Sequence, residues 1–219
     1  MRSTRRQFLV AASTVALVAV LAGGGLELFH HDANAQSIAQ AELMQAGPLG
    51  EEALGPDNAP VTIIEYASMT CPHCAHFALT TFPEIKEKYV DTGKVRFILR
   101  EFPFDPRAAG AFMLARCAGK DKFFPVVDLL FRTQESWAGS NDPLHALVAS
   151  LKQAGFTEDS VKECLANQKV LDGIEWVRKR ATDKFQVDST PTFFINGQKY
   201  NGAMSFDEMA KLIDPLLKT

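Results

Sequence analysis

Cys71-Pro72-His73-Cys74 is the stretch whose residue types and spacing could most directly do chemistry. Two thiols separated by two residues can close a small disulfide ring, and opening or closing that ring moves two electrons. The tetrapeptide follows a β-rich run, Val61-Thr62-Ile63-Ile64-Glu65-Tyr66-Ala67, and opens a helical stretch that reaches about Val90. Cys71 therefore falls near a helix N-cap, where unpaired backbone N–H groups and the positive end of the helix dipole favour a thiolate. Pro72 suits the first helical position, because its missing N–H would have had no partner there. A protonated His73 adds positive charge beside the sulfur. Whatever stabilises the Cys71 thiolate stabilises the reduced protein, so the Cys71–Cys74 disulfide is expected to be oxidising.

Three further groups could contribute. Glu65 lies six residues before Cys71 on the preceding strand, and its apolar neighbours predict burial, which perturbs a carboxyl. The alternative is an outward-facing side chain at a strand end. Cys117 and Cys164 lack the Cys-x-x-Cys spacing, and with the local pair set aside they are expected to form a structural disulfide; two free buried thiols are the other reading. Cys71, His73, Cys74 and His76 are crowded enough to raise zinc binding. Four ligands must converge on one point, which residues this close along one helix start do not do. No metal and no bound cofactor is expected.

These side chains need a frame to hold them. After the helix, Asp91-Thr92-Gly93 reads as a stop, and Lys94 to Arg100 alternates with period two. The three pieces make a βαβ unit with parallel strands and a right-handed crossover. From about Pro106 to Phe185 no strand pattern occurs; helical stretches are punctuated by Gly119, Pro125, Gly139, Pro143 and Gly155. Strand-like residues return at Thr192-Phe193-Phe194-Ile195, turn at Asn196-Gly197, and continue through Gln198-Lys199-Tyr200. A last helix starts at about Ser205, with the capping pattern Ser205-Phe206-Asp207-Glu208, and runs towards Leu217. The expected class is α/β: a βαβ half and a ββα half with a helical insertion at about 106–185. Phe77, Phe82, Phe123, Phe124 and Phe131 are expected in the core.

The chain has 219 residues, 47% of them hydrophobic, and a formal charge of −3. That supports one compact domain, expected over 61–219. Nucleic acid is an unexpected partner, because no clustered Lys and Arg are available to neutralise phosphates. Residues 1–35 read as an export signal: Arg2, Arg5 and Arg6, an apolar stretch from Phe8 to Leu21, and Ala33-Asn34-Ala35 before Gln36. Thr4-Arg5-Arg6-Gln7-Phe8-Leu9 resembles a twin-arginine signal, with an ordinary export signal or a retained membrane anchor as the alternatives. Residues 36–60, rich in Ala, Gln, Gly, Pro and Glu, read as an arm or linker.

Ile64-Glu65-Tyr66-Ala67-Ser68 leading into Cys71-Pro72-His73-Cys74, the helical insertion, and Thr190-Pro191-Thr192-Phe193 together resemble the DsbA family, especially its alphaproteobacterial members. The resemblance covers nearly all of the chain after the signal. It implies a thioredoxin-like fold and a periplasmic thiol-disulfide oxidase that hands its disulfide to reduced, unfolded exported proteins. Pro191 would be the cis-proline facing the disulfide, in a loop with Thr190 that binds substrate backbone. Glu65 would be the buried acid that moves a proton to or from Cys74. Reoxidation would fall to a quinone-linked membrane protein of the DsbB type. Thr190 stands where enterobacterial oxidases carry Val, and Thr also occurs in disulfide isomerases, so a disulfide isomerase or reductase of the same fold is the alternative function. The short arm before Val61 favours oxidation, and a monomer is expected. A chaperone-like or metal-binding protein is the more distant alternative.

Overall fold

The computed structural model describes residues 41–218. The expected export signal and the first part of the expected arm lie outside the described residues.

A five-stranded sheet carries the fold, in the order β1-β3-β2-β4-β5. Strand β2 (Val61–Ala67) is its middle member, and its nearly continuous apolar run is what a strand covered on both faces requires. It pairs in parallel with β3 (Val95–Glu101), setting Ile63 opposite Phe97 and Glu65 opposite Leu99. On its other side β2 pairs antiparallel with β4 (Thr192–Ile195), which sets Glu65 opposite Phe193. Strand β4 returns as β5 (Gln198–Asn201) through Asn196-Gly197, where φ is 44° and 87° at the two residues. Two successive positive φ values are what a tight hairpin turn of this hand needs.

Strand β1 (Glu52–Leu54) pairs antiparallel with the free side of β3. It falls inside the stretch read from sequence as a linker. Three residues carry too little periodicity to register as a strand, and long-range ion pairs hold this one in place. Arg116 reaches Glu52 at 2.8 Å and also bonds Glu101, while Arg100 reaches Glu51 at 2.9 Å and the Tyr66 hydroxyl at 2.8 Å.

Between β2 and β3 the helix is less regular than the sequence suggests. It begins as α1 (Pro72–His76), widens to a π-helical turn at Phe77–Thr81, resumes as α2 (Phe82–Ile85), and widens again at Lys86–Val90. Pro83 supplies the physical reason for the first widening: it has no N–H to continue the ladder, and Phe82 N–H reaches back to Phe77 O. Gly93, at φ 75°, closes the stretch by bonding Val90 O at 3.0 Å.

The interval from Pro106 to Phe185 is helical throughout its elements: α3 (Pro106–Cys117), α4 (Lys120–Arg132), α5 (Gln134–Ala138), α6 (Pro143–Leu151), α7 (Glu158–Leu165) and α8 (Gln168–Phe185), with one 3₁₀ turn at Lys152–Ala154. Cys117 at the end of α3 is bonded to Cys164 on α7 as a disulfide. The last helix, α9 (Phe206–Leu216), starts on a complete capping box between Ser205 and Glu208. Phe77, Phe123 and Phe131 are buried in the core, whereas Phe82 and Phe124 are half-buried against it.

Candidate active site

Cys71 is the N-cap residue of α1, in extended conformation at φ −80° and ψ 119°, with Pro72 in the first helical turn. Its carbonyl accepts the first helical bond from Ala75 N–H at 3.1 Å, and its own N–H donates to Ser68 O at 3.1 Å. Both cysteines are free thiols, Cys71 half-buried and Cys74 buried. The helix start thus presents one sulfur outward and holds the other inward.

The Cys71 thiol is brought down to about 5. The hydrogen bond from the Cys74 thiol contributes most; burial opposes it, and the Thr190 side chain with the backbone N–H groups of Cys74 and His73 adds to the lowering. In the dithiol, Cys71 Sγ donates to the Thr190 carbonyl oxygen at 3.4 Å, and the buried Thr190 hydroxyl has no hydrogen-bond partner among the described residues. Ionisation of Cys71 leaves that hydroxyl an acceptor to turn towards. His73 contributes through its backbone N–H, while its ring is exposed. Cys74 moves the opposite way, well above the usual thiol range, chiefly by burial, then by donating to Cys71 and by the nearby Glu65 charge.

Glu65 is 4% exposed, and burial pushes its carboxyl up to about 8, with the Cys71 charge adding to the rise. Its partners across the sheet, Leu99 and Phe193, are apolar, which explains the missing compensation. The Thr190–Pro191 peptide bond is cis, and this loop enters β4 beside the end of β2. Cys71, Cys74, Glu65, Thr190 and Pro191 therefore converge from α1, β2 and the β4 approach. The Cys117–Cys164 disulfide joins α3 and α7. Among the described residues no three His, Cys, Asp or Glu side chains are placed to hold a metal ion.

The structure adds residues that sequence reasoning passed over. Gln134, buried at the start of α5, donates through Nε2 to the carbonyl oxygens of Met69 at 2.8 Å and Cys71 at 3.0 Å. Asp105 caps α3 through bonds from Arg107 N–H and Ala108 N–H, and its second oxygen accepts from the Thr70 hydroxyl at 2.6 Å. The helical insertion thus grips the loop before α1 at two points. Asp105-Pro106 was readable as a helix start; Gln134 had no local signal, because its partners lie more than sixty residues away.

This arrangement suits thiol–disulfide exchange: an accessible sulfur that leaves or attacks as a thiolate, beside a buried one that needs a proton to leave. A family model described as thioredoxin matches residues 49–215. A putative protein-disulfide oxidoreductase of Rickettsia conorii is 34% identical over 170 residues, which cover 75% of this chain and 60% of that protein. The chain therefore spans about six tenths of the length of that relative. A probable disulfide bond formation protein D of Bacillus cereus is 30% identical, over 77% of this chain and 79% of that one. The crystal structure of Wolbachia pipientis alpha-DsbA1 superposes with a TM-score of 0.74 at 33% identity, covering 81% of this chain and 95% of that one.

Proposed function

The chain belongs to the thioredoxin family, on its DsbA-like branch, and from that premise we propose that it donates its Cys71–Cys74 disulfide to reduced, newly exported proteins in the periplasm. The observation that carries the proposal is the opposite displacement of the two thiols, Cys71 down to about 5 and Cys74 well above its usual range.

In the first step a substrate thiolate attacks Cys71 Sγ. A substrate–Cys71 bond forms, the Cys71–Cys74 bond breaks, and Cys74 takes the electron pair. Cys74 is a poor leaving group unless protonated, and Glu65, whose burial favours the protonated carboxyl, is the acid within electrostatic reach. In the second step another substrate thiolate attacks the substrate sulfur of the mixed disulfide. Cys71 leaves readily because its thiolate is stable, so the mixed disulfide is short-lived. The substrate departs oxidised by two electrons and the enzyme is left as the dithiol.

Thr190 and the cis Pro191 would align the substrate backbone beside Cys71. Reoxidation would require a disulfide or quinone-linked oxidant, and a membrane protein of the DsbB type fits that need. Export, by the twin-arginine route, rests on residues 1–35.

The test is oxidation of a reduced, unfolded protein by stoichiometric oxidised enzyme. Cys71→Ala should abolish it, and retained oxidation by that variant would overturn the scheme. The equilibrium with glutathione separates donor from reductant: a strongly oxidising position is expected, and a thioredoxin-like reducing one would instead favour the reductase function.

A further inference from the structure

Glu65 also lines a cavity of ≈330 Å³ that neither cysteine lines. Its walls are apolar: Leu54 of β1, Phe97 and Leu99 of β3, Phe82 of α2, and Phe124 and Phe131 of α4. Two charged residues line it as well, and each is already paired at the surface, Lys86 with Asp91 at 2.7 Å and Asp128 with Arg132 at 2.7 Å. Glu65 differs from both. Its carboxyl is almost fully buried, and among the described residues no group donates it a hydrogen bond or forms an ion pair with it. The cavity thus offers aromatic walls around one acid that no described residue pairs with.

We propose that this cavity is a ligand site for a small hydrophobic amine, whose apolar body packs on the aromatic walls and whose ammonium pairs with Glu65. The volume lies at the lower end of the range of small-molecule sites, roughly 300–1,000 Å³, and a few placed polar groups in an apolar pocket are what such sites contain. An ammonium brings a positive charge that favours release of the Glu65 proton to solvent, and three donors for the resulting carboxylate oxygens. A neutral molecule of the same shape fills the walls but leaves the carboxyl without a cation, and an anionic one buries a charge with no cation to meet it. The walls also exclude a strongly hydrated ligand, because they return no hydrogen bonds. The site shares Glu65 with the disulfide-donor reaction but is lined by neither of its sulfurs.

The experiment is direct binding to the full chain of 1-naphthylmethylamine and of its neutral isostere 1-naphthylmethanol, followed by calorimetry. The amine should bind about tenfold more tightly, because a charge-assisted hydrogen bond is roughly twice as strong as a neutral one. Glu65→Gln should bring the two affinities together. Ala78→Phe, which adds bulk to the cavity wall while leaving Glu65 in place, should weaken both. Equal affinities in the unaltered protein, an amine preference that persists in Glu65→Gln, or undiminished binding in Ala78→Phe would each overturn the proposal. The readout is binding, so a failure of disulfide donation leaves it unaffected.

Discussion

Cys71 Sγ donates a hydrogen bond to the Thr190 carbonyl oxygen across 3.4 Å, joining residues 119 apart in the chain. The outward sulfur thus lies between the start of α1 and the loop that ends in the cis Pro191. Each of these two elements sets part of its chemistry: the helix start supplies backbone N–H groups, and the loop supplies a carbonyl acceptor for the thiol and a hydroxyl for the thiolate.

Replacing Thr190 by Val removes that hydroxyl and keeps the shape. The Cys71 thiolate should then titrate above its position near 5, as read by its ultraviolet absorbance in the reduced protein. A depressed thiol contributes stability to the reduced form that is present above its ordinary range and lost as the pH falls through about 5. Weakening it makes the disulfide less oxidising, so the glutathione equilibrium of Thr190→Val should shift towards the oxidised enzyme. An unmoved titration would assign the lowering to the helix start and Cys74 alone.

Glu65 should make the oxidised protein lose stability with rising pH. Burial raises its carboxyl above 4.5 in the fold, and in the disulfide form burial acts without the Cys71 charge, so its contribution is fully present below 4.5 and is lost as the pH rises through the raised value. With both cysteine pairs oxidised, no thiol titrates in that window. Glu65→Gln removes the titration, and its stability relative to the unaltered protein should rise by a few kcal/mol between those limits in urea unfolding. Parallel pH profiles for the two proteins would place Glu65 outside the buried setting.

The Cys117–Cys164 bond closes a separation of 47 residues. The chain-entropy relation assigns such a loop ~4 kcal/mol. Cys117→Ser with Cys164→Ser should lower unfolding stability by about that amount. The glutathione equilibrium of Cys71 and Cys74 checks whether the effect stays confined to the helical insertion.

Gln134→Ala leaves the Met69 and Cys71 carbonyl oxygens without their buried donor. The expected cost is ~1–3 kcal/mol of stability. The same variant should broaden the Cys71 and Met69 amide signals in nuclear magnetic resonance spectra, because the loop loses its tie to α5. Gln134→Glu should be worse than Ala, since its carboxylate would face two acceptors.

The sequence by itself determined the local units and their order. The apolar runs of β2 and β4, the Asn196-Gly197 turn, the Ser205 capping box and the placement of Cys71 at a helix start are all set by residues within a few positions of one another. Their physical causes are periodicity, capping and turn conformation, which act over short separations. The tertiary structure decided what depends on distant partners. It made Glu52–Leu54 an edge strand, through Arg100 and Arg116. It paired Cys117 with Cys164, brought Thr190 to Cys71, and tied Gln134 to the active-site loop. It also left Glu65 between Leu99 and Phe193, with no ion pair to it among the described residues. Burial and electrostatic environment are sums over neighbours from many segments, so the sulfur and carboxyl reactivities became definite only once those segments had packed.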